Sequence, residues 1–196
     1  MKRKIDLLLN LLFITLEVIG IFTTIITTKT FEFVYYTLDS NLFSLIITII
    51  YLLYKLFNKN IPRIIHDLRF ASTICLMITF LVVIFILIPS YNFNYSWFLF
   101  EGANLYFHFL CPILLFILFL FFDYKYKYNK KVALIPTIIY SVILILLNVL
   151  KLVEGPYPFL LVYQNPLYET IIWFILITGL TYFITFILNK IKTLYL

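Results

Sequence analysis

The chain has 196 residues, of which 64% are hydrophobic and only 12% are charged, and its mean hydropathy is +1.05. Soluble domains carry charge on about a quarter of their residues, so this composition excludes an ordinary soluble enzyme and indicates a protein of the lipid bilayer. The net charge of +6 comes from short basic clusters between apolar stretches. This pattern predicts membrane topology and argues against a nucleic-acid partner.

Apolar stretches of about 20 residues, long enough to cross ~30 Å of hydrocarbon as helices, occur repeatedly along the chain. In chain order they lie at approximately 7–28, 35–57, 70–89, 103–122, 132–150 and 168–189. Together with short connections they use nearly the whole sequence. We therefore predict an all-α fold in which residues 1–196 form a single transmembrane domain of six helices.

The basic residues predict the orientation of these six spans. Thirteen of the fifteen fall on one side of the membrane, and only Lys29 and Lys151 fall on the other. The positive-inside rule then places both termini in the cytoplasm. The thirteen are Lys2, Arg3, Lys4, Lys55, Lys59, Arg63, Arg69, Lys125, Lys127, Lys130, Lys131, Lys190 and Lys192.

The start of the chain and its residue usage predict where the protein resides. The first span follows a basic cluster, as a signal peptide does, but its apolar region of about 22 residues lacks a small-residue cleavage site. We therefore predict a retained helix. The heavy use of Ile, Phe, Tyr, Asn and Lys is typical of an AT-rich genome, which favours a multi-pass protein of a bacterial plasma membrane.

Polar residues recur on one face of four predicted spans. Strongly polar groups at membrane depth are costly unless they are paired, so each one indicates a functional or packing contact. Spacings of three, four and seven residues keep side chains on one helical face, so the four stripes are predicted to face a common interior. The stripes are Asn10, Glu17 and Thr24; Thr37, Asn41, Ser44 and Thr48; Asn104, His108 and Cys111; and Thr137, Ser141 and Asn148.

The second and fourth spans both enter from the external side, so Thr37 and His108 are predicted to lie near the same outer leaflet. A Thr hydroxyl becomes a nucleophile beside a base such as His, which is itself oriented by a carboxylate or amide. We predict Thr37 as the nucleophile and His108 as the base. Possible orienting or pocket groups are Asn41, Asn104, Asp39, Glu17 and Ser40.

Two of these groups are alternatives for orienting His108. Asp39 is two residues from Thr37 and so lies roughly 160° away around the helix. This favours Asn104, or a residue of another helix, for that role. Asp39 is instead expected to cap the helix or to meet the external loop.

Simpler roles remain open for the same polar residues. One member of the "TLDSN" stretch (37–41) is expected to cap the N-terminus of the second helix. Ser44, Thr48, Thr137 and Ser141 can serve as hydrogen-bonding contacts between helices. Glu17 must be protonated, paired or hydrated, because its neighbours are Leu and Ile.

Metal and cofactor chemistry lack a motif in this chain. There is no HxxxH, HExxH or Cys cluster, and the four glycines form no phosphate loop. We therefore predict neither a metal site nor a cofactor. Cys75 and Cys111 lie inside predicted spans, so they are expected to be buried thiols, not a disulfide.

Three stretches resemble motifs of the bacterial Pr6Pr-type membrane proteins. They are "YYTLDSNLFSLI" (35–46), "HFLCPILLFILFLFFD" (108–123) and "YPFLLV" (157–162). Those proteins are more distantly similar to the androgen-induced and androgen-dependent multipass hydrolases. The resemblance implies a six-helix membrane fold in which Thr37 and His108, with Pro112 nearby, hydrolyse fatty acid esters of hydroxy fatty acids.

The same resemblance implies roles for three further residues. A related acyltransferase branch uses a Cys and His pair, which makes Cys111 an alternative nucleophile. The "YPF" motif implies structural loop roles for Tyr157 and Pro158. The expected partners are membrane lipids or a lipid-like substrate, and no feature of the sequence indicates a protein partner.

The leading functional hypothesis is an intramembrane lipid-ester hydrolase or acyl transferase. The first alternative is the substrate-binding subunit of a vitamin or other small-molecule importer, a class that also has about six helices with internal termini. Such subunits carry closely spaced alanines in their first helix, whereas this chain contains only Ala71, Ala103 and Ala133. The second alternative is a non-enzymatic lipid-binding protein in which the polar residues only pack helices together.

Overall fold

The structure, a computed structural model, describes residues 2–30, 32–123, 127–157 and 160–194. These residues are 80% helical, and no strand forms among them. The described residues form seven helices in chain order. They are α1 (Lys2–Thr28), α2 (Tyr36–Leu56), α3 (Arg63–Ser90), α4 (Tyr95–Phe100), α5 (Leu105–Phe121), α6 (Lys130–Val149) and α7 (Leu167–Leu194).

Five of the helices are long and apolar enough to cross a membrane by length and composition: α1, α2, α3, α6 and α7. α5 is also apolar but has only 17 residues. Each of the six predicted apolar segments coincides with one of these helices, although α3 begins at Arg63, before the predicted start at 70. The all-helical architecture is therefore confirmed, and its long apolar helices are compatible with a membrane protein.

α3 lies at the centre of the bundle, where it contacts α2, α5, α6 and α7. In its most apolar stretch 67% of the residues are buried, against 22% in α7. Large apolar side chains cover the outside of the peripheral helices; they include Leu8, Ile26, Ile139 and Ile175. Such a surface suits a hydrocarbon solvent, because only lipid tails leave exposed apolar side chains without a penalty.

Two helices contain a π-helical turn, and each of these turns precedes a proline. Val83–Leu87 and Leu105–Leu110 form π-helical turns, and Pro89 and Pro112 follow them. Proline has no N–H to donate and its ring collides with the preceding turn, so the helix widens locally before it. The second widened turn carries His108.

The predicted polar stripes face the interior. Eleven of their members are buried: Asn10, Glu17, Thr24, Asn41, Ser44, Thr48, His108, Cys111, Thr137, Ser141 and Asn148. Cys75 and Cys111 are both free thiols and both buried. The shared interior and the absence of a disulfide between these two residues are thus confirmed.

The cap predicted for the start of α2 does not form. Tyr35 occupies the capping position, and its own side chain makes no capping hydrogen bond. Instead, the Tyr36 N–H donates to the Tyr140 hydroxyl at 3.0 Å, and the Tyr35 carbonyl accepts from the N–H groups of Leu38 and Asp39. The hydroxyl of another helix therefore satisfies a backbone donor that the "TLDSN" side chains were expected to satisfy.

A buried charged network ties the opposite end of the bundle together. The Arg69 side chain is 1% exposed and donates to Asn10 Oδ1 at 2.8 Å, to Asp123 Oδ2 at 3.3 Å and to the Thr48 hydroxyl. These partners belong to α1, α2 and the residues just after α5. The network was not anticipated, because Arg69 was counted only among the basic residues that set topology.

Candidate functional site

Thr37 and His108 meet near one end of the bundle. Thr37 lies in the first turn of α2, and its Oγ1 is 3.4 Å from Nε2 of His108 in the widened turn of α5. His108 is 7% exposed. The residues predicted as nucleophile and base are therefore in contact.

The second ring nitrogen of His108 determines how the imidazole is protonated. Nδ1 is 2.8 Å from the backbone carbonyl oxygen of Phe98 in α4. Because a carbonyl oxygen only accepts, Nδ1 carries the hydrogen and the lone pair of Nε2 points to Thr37. The Thr37 hydroxyl then donates to Nε2, which is the arrangement that a hydroxyl nucleophile and its base require.

The Asn104 side chain is not hydrogen-bonded to the His108 ring, so its predicted orienting role stays a prediction. Its side-chain amide donates instead to the Trp97 carbonyl at 2.9 Å and joins the start of α5 to α4. The neighbouring carbonyl of Phe98 is the group that holds the imidazole. No residue type in the sequence signals this contact, because every residue carries a carbonyl.

Tyr157 lies against the same turn of α2. Burial raises the pKa of Tyr157 to about 12, while hydrogen bonding with the side chain and backbone of Thr37 and with Tyr140 opposes the rise. The Tyr140 hydroxyl in turn donates to the Val34 carbonyl at 2.7 Å. Tyr157 was predicted to be a structural loop residue, and it contacts the candidate nucleophile; Pro158 lies outside the described residues.

A small cavity of ≈ 50 Å³ adjoins Thr37 and Tyr157. Its polar groups come from α2, α3, α6 and the loop before α7, and most of its wall is apolar. The wall includes Val83, Leu87, Thr137, Tyr140, Ile145 and Trp173. An apolar cavity with a few convergent polar groups is the usual form of a small-molecule site.

Asn41 and Ser40 fix the turn that carries Thr37. Asn41 Nδ2 donates to the carbonyl of Thr37 at 2.7 Å and to that of Phe107 at 3.4 Å, so it joins α2 to the widened turn of α5. Ser40 Oγ donates to the Thr37 carbonyl at 3.1 Å and lies 3.0 Å from the Thr79 hydroxyl. Asn41 Oδ1 is buried and has no hydrogen-bond partner among the described residues.

Asp39 faces away from His108. It lines a groove of ≈ 330 Å³ between α2 and α6, together with Phe43, Pro136 and Ile139. Within the described ranges its carboxyl group makes no hydrogen bond or ion pair. Asp39 is therefore neither a helix cap nor the orienting group of the imidazole.

Glu17 and Cys111 lie in the apolar interior beyond the cavity. Glu17 is fully buried, and neither of its carboxyl oxygens has a hydrogen-bond partner in the part of the chain that the structure describes. The Cys111 thiol lies beside it, but not in hydrogen-bond geometry. Cys111 packs with Phe13, Leu76 and Leu115 and does not line the cavity, so its surroundings favour a packing role.

The comparisons with known proteins do not identify a family for this chain. No family model, curated protein or solved structure matches the chain. Across the described residues, no group of three or more His, Cys, Asp or Glu side chains is placed to hold a metal ion. The proposal of a function for this site therefore depends on the contacts of Thr37, His108 and Tyr157.

Proposed function

We propose that the protein is an integral-membrane hydrolase or acyl transferase that acts on lipid esters, with Thr37 as the nucleophile and His108 as the base. The observation that carries this proposal is the chain of contacts from the Phe98 carbonyl through the imidazole to the Thr37 hydroxyl. A hydroxyl beside a base whose tautomer is held by a third group is the arrangement used for acyl transfer.

The steps of the proposed reaction follow from the hydrogen on His108 Nδ1 and the hydroxyl proton that Thr37 donates to Nε2. Thr37 Oγ1 attacks the carbonyl carbon of the ester while its proton passes to His108 Nε2. When the tetrahedral intermediate collapses, the C–O bond to the alcohol breaks and His108 returns the proton to the leaving alkoxide. Water, or a second alcohol in a transferase, then attacks the acyl-threonine ester and passes a proton to His108. The bond from the acyl carbon to Thr37 Oγ1 breaks, His108 returns the proton to Oγ1, and Thr37 is regenerated.

Tyr157 is placed to stabilise the charge that develops on the carbonyl oxygen. Its hydroxyl lies at the first turn of α2, beside the hydroxyl and backbone of Thr37. The first N–H groups of a helix have no partner within that helix and carry a partial positive charge. A carbonyl oxygen bound beside Thr37 would meet the phenol donor of Tyr157 and the positive end of the α2 dipole, while the Tyr36 N–H already donates to the Tyr140 hydroxyl.

The cavity walls indicate an apolar substrate. With a volume of ≈ 50 Å³, the cavity accommodates the reacting end of an ester and not a whole fatty acyl chain. Trp173, Phe174 and Ile177 of α7 form one wall, and Thr137 and Ile145 of α6 form another. In this mechanism the acyl chain enters from the lipid as α6 and α7 separate.

The proposed topology places this chemistry near the outer leaflet of a plasma membrane. α5 has 17 residues, close to the lower limit of about 17–25 that span a bilayer, and it counts as the sixth crossing. With six crossings, the basic clusters lie on the cytoplasmic side together with both termini. Thr37 follows an external connection, so water reaches the acyl-threonine ester from outside the cell.

The test is the rate of hydrolysis of a fluorogenic fatty acyl ester by the purified full chain. Thr37→Ala and His108→Gln should each lower the rate on the order of 10³-fold or more, because each removes a group that the transition state needs. Thr37→Ser keeps the hydroxyl and should keep activity.

Thr15→Ala provides the matched control. This hydroxyl donates to the Leu11 carbonyl on an exposed face of α1, so its removal changes the same chemical group far from the site. A Thr37→Ala protein that is as active as Thr15→Ala would contradict the proposed nucleophile. Wild-type protein without esterase activity would favour a non-enzymatic lipid-binding role.

A further inference from the structure

An open cleft of ≈ 800 Å³ lies at the opposite end of the bundle from the candidate site. It is formed by the end of α2, the connection to α3, the start of α3 and the residues that follow α5. Four cationic side chains line it: Lys55, Lys59, Arg63 and Lys127. No acidic residue is among the described residues that line the cleft, so its wall carries an excess of positive charge.

Much of this charge remains available to a ligand. Lys55 pairs with Asp6, and Arg63 Nε is 4.0 Å from Asp67 Oδ2 although the Arg63 side chain is 75% exposed. Lys59 and Lys127 are exposed, and neither side chain forms an ion pair or hydrogen bond with any residue that the structure describes. The cleft is thus only partly neutralised by the protein itself.

The base of the cleft is aromatic and well packed. Tyr51 is 1% exposed, and its ring lies edge-on to the ring of His66 with 6.0 Å between centroids. Lys55 Nζ is 4.3 Å from the centre of the Tyr51 ring, and the buried Arg69 guanidinium is 5.0 Å from it. The network around Arg69 therefore holds the base in place before any ligand arrives.

Exposed apolar side chains adjoin the cationic residues. Phe57 is 68% exposed, Ile64 is 52% exposed and Phe121 is 63% exposed. Each lies within two residues of a lining residue in the chain, at the point where the apolar surface of the bundle ends. A ligand with an anionic head and apolar chains matches both surfaces, whereas free phosphate uses only the cationic one.

We propose that this cleft binds the phosphate-bearing headgroup of an anionic phospholipid, with the acyl chains lying along the adjoining apolar side chains. Basic clefts between helices at the cytoplasmic membrane surface are suited to such headgroups. The orientation of the chain requires only a majority of basic residues in certain loops. It does not require cations from two separate stretches of the chain, 55–63 and the residues after α5, to converge on one cleft with a buried aromatic base. The site is independent of the proposed chemistry at Thr37.

The test is native mass spectrometry of the full chain in detergent with added phosphatidylglycerol, and with phosphatidylcholine at equal concentration. Wild-type protein should retain phosphatidylglycerol preferentially. The triple variant Lys59→Gln, Arg63→Gln and Lys127→Gln should bind it on the order of 10²-fold more weakly, because three cations near the phosphate are lost. All three side chains are exposed, so the fold is expected to persist.

The matched control changes the same amount of charge outside the cleft. Lys2→Gln, Lys4→Gln and Lys190→Gln also remove three exposed cations from the basic side and should leave retention within about threefold of wild type. Lys59→Arg with Lys127→Arg should also retain the lipid, because the charge stays in the cleft.

Two results would overturn the proposal. The first is equal retention of phosphatidylglycerol by the cleft variant and the control variant. The second is protection of the wild-type chain from thermal unfolding by inorganic phosphate alone as fully as by phosphatidylglycerol, since the ligand would then be a soluble anion.

Discussion

At one end of the bundle the Thr37 hydroxyl and the His108 imidazole are 3.4 Å apart beside an apolar cavity. At the other end the buried Arg69 guanidinium donates to Asn10, Thr48 and Asp123. Near the first site Asn41 Oδ1 is without a partner among the described residues, as is Asp123 Oδ1 at the second. The first pair combines reactive groups with an adjoining cavity. The buried groups of the Arg69 network instead join helices to one another.

The largest effect that separates the two ends should come from Arg69→Ala. Removal of the guanidinium leaves the Asp123 carboxylate buried and without its counter-charge, which costs about 3–5 kcal/mol. The measurement is unfolding of the detergent-solubilised chain by heat or denaturant. Arg63→Ala is the control on the same helix; its side chain is 75% exposed, and the variant should lose at most about 1 kcal/mol. Equal stability of the two variants would refute a structural role for the Arg69 network.

The next largest effect should come from Tyr157→Phe at the candidate site. This change removes one donor near the proposed oxyanion position and should lower the rate of ester hydrolysis about 10²-fold. The lost hydrogen bonds of this buried hydroxyl should also cost about 1–3 kcal/mol in stability. Tyr163→Phe is the control, because Tyr163 belongs to the same loop and is 44% exposed. An undiminished rate in Tyr157→Phe would remove Tyr157 from the mechanism and leave the Thr37–His108 pair to be tested separately.

A smaller effect should follow from Gly20→Ala, which tests how closely α1 supports the widened turn of α5. A Cβ on Gly20 would lie 2.6 Å from Phe107 Cε1 and 3.0 Å from Tyr106 Cβ. We expect a loss of about 1–3 kcal/mol in stability, because this close packing must open. Gly179→Ala is the control, since nothing lies within 4 Å of a Cβ there and alanine favours a helix. A stable Gly20→Ala protein would show that α1 tolerates displacement from α5.

The smallest effect should come from Asn104→Ala. Its amide binds the Trp97 carbonyl, so the imidazole keeps its own contact with Phe98 and the rate of hydrolysis should fall less than about tenfold. A fall as large as that of His108→Gln would mean that the imidazole is oriented through Asn104 after all.

Much of the fold was predictable because a membrane helix must satisfy its own backbone and present apolar side chains to lipid. These requirements produce a periodic pattern of apolar and polar residues. The six apolar helices and the buried faces of Asn41, Ser44 and Thr48 were predicted from this pattern. The placement of Thr37 and His108 at one end was also a sequence prediction, because the alternating direction of the spans brings both residues there. Their contact was not predicted, since the sequence does not show which side chains touch.

Other features depend on tertiary contacts that produce no recognisable pattern in the sequence. The Phe98 carbonyl orients His108 because α4 folds back over the start of α5, and a carbonyl has no sequence signature. The burial of Arg69 was missed because topology rules count basic residues without their depth. Pro89 and Pro112 are the signals from which the two widened turns were predictable.

The central claim is that Thr37 is a nucleophile activated by His108, and covalent labelling tests it most directly. A fluorophosphonate probe should form an adduct that peptide mass spectrometry assigns to Thr37, and the adduct should be lost in Thr37→Ala and strongly reduced in His108→Gln. Thr15→Ala should label as wild type does. Labelling that persists in Thr37→Ala, or an adduct on Cys111 or another residue, would contradict the claim.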